Sequence, residues 1–340
     1  MKLIKSIIVL AVLSLAISCS SKGKPEDKKT EKHDSLADKI NSPELKALND
    51  LILKNPGDAE LYNKRAKLYI KLKQLDVAIG DALRATKLDT SKAAYYVTLA
   101  DVYFASNKTR YAKETLEATV KHFPDNSEAL LKLGELYFLV RQYENAITYI
   151  NKALKIDENI AEAYYLKGSV FKEMGDTAKA ISSMQTAIEQ DTKFFDAFLD
   201  IGILYASRKN PLAFEYYANA LKLRPNDNNV LYAKAKLLQD LNKIDESIAL
   251  YQQILKADKD NANVLYNLGA ISLDKKKDPN TAIDYFSKAI AADPKYTEAY
   301  FARGVCFEQL KDIDNARADY NMCLKITPNY EPALDALNKK

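Results

Sequence analysis

The chain has 340 residues, 47% of them hydrophobic, with 22 Tyr, 11 Phe and no Trp; only 9 Gly and 10 Pro is low for a β-rich or loop-rich protein and favours helices. Lys plus Arg number 50 against 46 Asp plus Glu, a net charge of +4 with no block of like charge, so nucleic acid is not an implied partner. The 3 Cys and 2 His are too few for a disulfide framework or a zinc cluster.

At the start, Lys2 and Lys5 precede an apolar run from Ile7 to Ile17. The run falls short of the roughly 20 residues of a membrane span and suits a secretory signal. It ends in Ala16-Ile17-Ser18-Cys19-Ser20-Ser21. A small residue directly before a Cys at this place resembles the lipobox of bacterial lipoproteins, although Ala16 stands where Leu is commonest in that family. The resemblance implies that residues 1–18 are a signal peptide and that Cys19 is acylated as the new N-terminus. The competing reading is an ordinary secretory signal with Cys19 incidental. Residues 19–41 are polar and mixed in charge, with almost nothing apolar to bury, which reads as a disordered tether. Its r.m.s. reach would be roughly 25 Å. Ser20, and not Asp, after the Cys favours the outer membrane by resemblance to lipoprotein sorting, with the body facing the periplasm.

Ser42-Pro43-Glu44 then opens a helical stripe of Leu45, Leu48, Leu51 and Ile52, an N-cap Ser with Pro at the first helical position. Residues 42–58 are expected to form a capping helix. From Ala59 onward the sequence repeats with a period of 34 residues, in units starting at Ala59, Ala93, Ser127, Ala161, Phe195, Asn228, Ala262 and Thr297. Position 8 of each unit holds Ala66, Ala100, Gly134, Gly168, Gly202, Ala235, Gly269 and Gly304. Position 20 is Ala in every unit except for Ser247, large residues recur at 4, 7, 11 and 24, and position 32 is Pro124, Pro225, Pro294 and Pro328 in four units. Small residues at 8 and 20 let two antiparallel helices approach, large ones fill the space beside them, and Pro at 32 ends the second helix. Unit five is one residue short near Arg208–Pro211 and unit seven one long near Lys277–Asn280, both in the expected turn between helices. Residues 331–340 begin like another first helix and read as a C-terminal cap.

Eight units in register over 59–330 resemble the tetratricopeptide repeat. The fold this implies is all-α, a right-handed superhelical α-solenoid of eight helix-turn-helix repeats with capping helices. In that family the first helices line a concave groove through positions 2, 5, 6, 9, 12 and 13. Here position 5 carries Tyr165, Tyr232, Tyr266 and Phe301, and position 12 carries Phe104 and Phe138. Units four to eight add Glu173, Asp200, Asp240, Asp274 and Glu308 against Lys172 and Lys236, whereas unit one carries Lys64, Lys67 and Lys71. This groove is expected to take a partner segment with aromatic or aliphatic groups and basic side chains. The same aromatic positions also suit half-buried supports between adjacent units. The Lys/Asn/Arg carboxylate clamp of some family members is missing from the corresponding positions.

No G-x-S-x-G, P-loop or G-x-G-x-x-G occurs, carboxylates are scattered, and no separate catalytic domain remains once the repeats are counted. Neither an enzyme nor a cofactor nor a metal is expected. Cys306 and Cys323 share the last unit, as buried thiols or a disulfide. The leading expectation is a lipid-anchored adaptor that binds other envelope proteins through its groove. Self-association through the end units, and a small-molecule or glycan site in the Tyr-rich groove, are the alternatives.

Overall fold

The computed structural model describes residues 42–338, so the signal, Cys19 and the tether lie outside the described residues. Eighteen helices and no strand occur among the described residues. The chain enters through α1 (Pro43–Lys54), with the Ser42 hydroxyl accepting from the Leu45 amide. Eight helix pairs follow: α2 (Ala59–Lys71) with α3 (Leu75–Leu88), α4 (Ala93–Ala105) with α5 (Thr109–His122), α6 (Ser127–Leu139) with α7 (Tyr143–Ile156), and α8 (Ala161–Glu173) with α9 (Thr177–Gln190). The second four are α10 (Phe195–Ala206) with α11 (Ala213–Leu223), α12 (Asn228–Asp240) with α13 (Ile244–Ala257), α14 (Ala262–Asp274) with α15 (Pro279–Ala292), and α16 (Thr297–Gln309) with α17 (Ile313–Ile326). A short α18 (Glu331–Asn338) closes the series. Every helix packs on its neighbours in the chain, and first helices also touch the first helices of adjoining units, so the array grows in one direction.

Short polar side chains start many of these helices. Asn126, Asp227 and Asn261 accept amide hydrogen bonds from Ala129, Val230 and Val264 at the heads of α6, α12 and α14. First helices end alike. The amide at position 16 donates to the carbonyl at position 11, as in Gln74 to Tyr69 (2.9 Å), Gln142 to Tyr137 (2.8 Å) and Lys243 to Leu238 (2.8 Å). This 6→1 bond is a Schellman ending, which places position 15 in the left-handed region. Lys73, Asn107, Arg141, Gly175, Lys209, Asn242 and Lys311 all occupy it with φ between 53° and 83°. Only one of them is glycine.

The inserted residue of unit seven is absorbed in this turn, where Lys277 takes the left-handed conformation (φ 53°). The shortened unit five differs from the expectation that only its turn would change. Its second helix, α11, has 11 residues where the other second helices have 14, so the deletion removes the helix's first turn. Pro211 and Leu212 replace that turn, with the Asn210 side chain accepting from the Leu212 amide.

The core sits between the two helices of each pair. Ala78, Ala112, Ala146, Ala180, Ala213 and Ala282 at position 20 are fully buried. Position 24 fills the space opposite position 8: Ile150, Met184, Tyr217 and Phe286 are fully buried against Gly134, Gly168, Gly202 and Gly269. Tyr217 places its hydroxyl in this core without a hydrogen-bond partner, and burial pushes its pKa well above that of an ordinary phenol. A buried, unmade hydrogen bond costs about 1–3 kcal/mol. Tyr217→Phe should therefore leave stability unchanged or raise it by about 1 kcal/mol, read by thermal denaturation.

Cys306 and Cys323 are separate buried thiols; the Cys323 thiol lies 3.4 Å from the Thr297 carbonyl, to which it donates. Burial pushes their pKa values up to about 11 and about 12. At pH 8 both should resist alkylation in the folded protein and react promptly in urea, which mass spectrometry would read.

Candidate functional site

The first helices present the groove residues in two different states. Tyr165, Tyr232, Tyr266 and Phe301 are all half-buried; the first two hydrogen-bond into the next unit, and the last two pack on the residue that precedes the helix following their unit. Tyr165 packs its ring 5.0 Å from Phe194 and donates its hydroxyl to Asp200 (2.9 Å). Tyr232 accepts from the Asn267 amide nitrogen (2.8 Å). Tyr266 lies 5.1 Å from the Tyr296 ring, and Phe301 5.7 Å from Tyr330. Position 5 thus supplies the supports at the junctions that follow units four, six, seven and eight. Burial, followed by the nearby Asp200, pushes the Tyr165 pKa well up, so this hydroxyl keeps its proton and stays a donor.

The acids form the rim. Glu173, Asp240 and Asp274 are the last residues of α8, α12 and α14, and all three are exposed. A helix C-terminus disfavours negative charge. Asp274 is relieved by Lys275 (3.3 Å) and Lys277 (3.8 Å), and Glu308 accepts from the Tyr320 hydroxyl (2.8 Å). Asp200 is held between Tyr165 and Lys172 (3.2 Å). Among the described residues Glu173 and Asp240 form no ion pair, and they remain available to a cation from outside.

Three features escaped the sequence reading. Leu139 at position 13 and Ile203 at position 9 are 51% and 43% exposed, so the apolar surface of the first helices is centred nearer units two to five than four to eight. Lys132 bridges Asp101 (3.4 Å) and Glu135 (3.4 Å) across two units. The first and last units also share one device. Arg65 and Arg303 stand at position 7, where four other units carry Leu or Ile, and each makes a two-pronged bond to the Asp at position 23 of its own unit. Arg65 reaches Asp81 at 2.7 and 2.8 Å and also Asn49 on α1; Arg303 reaches Asp319 at 2.9 and 2.8 Å and also Ser287 on α15. Two aromatic rings flank each guanidinium, Tyr62 and Tyr69 in one unit and Tyr300 and Phe307 in the other. The 16-residue Arg–Asp spacing, repeated at both ends, was the available signal.

No group of His, Cys, Asp and Glu able to hold a metal occurs among the described residues, and no described helix is long and apolar enough to cross a membrane. The tetratricopeptide repeat description matches residues 59–92, 97–159, 161–194, 232–297 and 270–331, more than half of the chain. The chain belongs to the tetratricopeptide repeat family. Tetratricopeptide repeats generally mediate contacts between proteins.

Among curated proteins the chain is similar to BBSome complex member BBS4 of Bos taurus, 24% identical over 293 residues, a match covering 81% of this chain and 49% of that protein. The chain therefore spans about half the length of that relative, and less of others it matches. Among solved structures it is similar to the C-terminal part of a tetratricopeptide repeat-containing protein from Cytophaga hutchinsonii, with a TM-score of 0.58 and 18% identity over 70% of this chain and 98% of that one. It is likewise similar to the Cut9–Hcn1 hetero-tetramer of APC/C, with a TM-score of 0.53 and 20% identity over 88% of this chain and 59% of that one. At these identities the two structures show the tetratricopeptide fold.

Proposed function

We propose that this tetratricopeptide protein is a non-catalytic scaffold of the bacterial envelope, held to a membrane through Cys19 and binding partner proteins with the surface of its first helices. The observation that carries the binding half is the continuous row of first helices with an acidic rim. An extended open surface suits a polypeptide, whereas small ligands favour enclosed, mostly apolar pockets. The similarity to a named complex member supports the same reading. The anchoring half rests on the sequence around Cys19 alone.

Each half has its own test. Cells fed an alkyne-tagged palmitate should label the wild-type chain, and Cys19→Ser should abolish the label and release the protein from the membrane fraction. Labelling that survives Cys19→Ser removes the anchor from the proposal. For the scaffold, cross-linked capture from intact envelopes with the full chain should yield a reproducible partner at near-stoichiometric amounts. Capture of nothing beyond the background of a Lys-rich control protein would reject it.

A further inference from the structure

We propose that the cleft between units two and three, lined by Phe104 and Leu139 beside Asp101 and Glu135, seats an apolar anchor residue of a basic amphipathic segment of a partner protein. The inference rests on the scaffold reading and gives it a location and a ligand chemistry. Phe104 on α4 is 42% exposed and Leu139 on α6 is 51% exposed, and both line one cleft floored by Ala100, Leu116 and Leu136. The cleft holds about 60 Å³. That is several times the roughly 10–15 Å³ one water needs, so it accepts a side-chain tip but not a whole small molecule.

Charge then selects the flanking residues. Lys132 sits between Asp101 and Glu135, 3.4 Å from each. Burial works against its ammonium, but the two carboxylates outweigh it and hold its pKa above the ordinary value. Lys132 is therefore already engaged and is a poor site for an anion. Two carboxylates against one ammonium leave a net negative charge on the cleft wall. Burial raises the Asp101 pKa even with Lys132 beside it, so this carboxylate is under-compensated. A Lys or Arg from outside supplies the missing charge, and an acidic segment is repelled. An apolar side chain flanked by basic ones meets both demands, whereas a purely basic or a purely apolar segment meets one.

Four fluorescein-labelled 12-residue peptides test this by anisotropy against the full chain: Leu with Lys, Leu with Glu, Ser with Lys, and Ser with Glu. The Leu–Lys peptide should bind at least about tenfold more tightly than the other three, and Leu139→Ser or Glu135→Lys should each weaken it about tenfold, the scale of one buried apolar side chain or one charge contact. Phe104→Ser serves as a second cleft variant, and unchanged thermal melts confirm that these exposed substitutions leave the fold intact. The pair Asp240→Lys/Asp274→Lys should bind the Leu–Lys peptide as wild type does. Absence of any preference among the four peptides overturns the inference. So does a preference that survives the cleft variants but is lost with Asp240→Lys/Asp274→Lys, an outcome that leaves the scaffold reading standing and moves its site.

Discussion

Replacing Arg303 by Met should destabilise the last unit by about 3 kcal/mol, and Arg65→Met should do the same to the first. The partner carboxylates explain the size. The Asp319 and Asp81 side chains are only 7% and 8% exposed, so losing the guanidinium strands a charge where water barely reaches. The reverse change, Asp319→Ala, should cost less, because the Arg303 side chain is 21% exposed and can turn its head to solvent. Replacing both partners with apolar residues, as in Arg303→Met/Asp319→Leu, should recover most of the loss, since a buried ion pair is worth little against well-packed hydrophobic groups. In a repeat array the damage stays local. Hydrogen exchange should show α16 and α17 opening first, with α8 and α9 unaffected. Uniform loss of protection along the chain would contradict this picture. The placement also has a physical sense: Arg303 ties α16 to α17 and to α15, and Arg65 ties α2 to α3 and to α1, at the units with the fewest neighbours.

The second large effect concerns position 8. A Cβ added at Gly202 would lie 2.5 Å from the Tyr217 ring, and one at Gly269 would lie 2.7 Å from the Phe286 ring. Both rings are fully buried and have no room to retreat. Overpacking of this kind costs about 1–3 kcal/mol, and because the gain in helix propensity offsets part of it, Gly202→Ala and Gly269→Ala should each lose about 2 kcal/mol. Gly80 is the control. It lies inside α3 with nothing within 4 Å of its would-be Cβ. Gly80→Ala should gain about 0.5–1 kcal/mol from propensity alone. The sign difference between these glycines, read by chemical denaturation, separates a packing role from a merely permissive one. Gly134→Ala should fall between them, because its nearest neighbour, the Ile150 side chain, stands at 2.9 Å, a less severe approach than either ring makes.

Position 8 was visible in the sequence because it recurs every 34 residues and its partners at 20 and 24 recur with it. Helix pairing, turn placement and both flanking helices follow from that spacing. The left-handed residue at position 15 was not visible, since Lys, Arg and Asn stand there in place of the glycine that normally marks it. The loss of a helical turn in α11 was hidden for another reason: a one-residue deletion beside Pro211 reads the same whether it shortens the turn or the helix. The groove divided along similar lines. Glu173, Asp240 and Asp274 end their helices, where charge stays exposed, whereas Asp200 lies inside α10 and pairs with Lys172, which its position in the repeat does not tell. Whether Tyr165 or Tyr266 is available depends on how closely the next unit approaches, and Phe194 and Tyr296 decide that from about 30 residues away. Exposure at Leu139 likewise depends on what the neighbouring unit leaves uncovered, which periodicity does not encode.

If partners engage the first-helix surface, the dissociation constant of the protein captured from envelopes must differ among three forms of the full chain. These are the wild type, a first-helix variant carrying Leu139→Ser, Glu135→Lys and Asp240→Lys, and a second-helix variant carrying Lys121→Glu and Lys155→Glu. Binding weakened at least about tenfold by the first variant and unchanged by the second is the predicted result. Equal affinity for the wild type and the first-helix variant, with loss on the second-helix variant, would contradict it and place the interface on the opposite face.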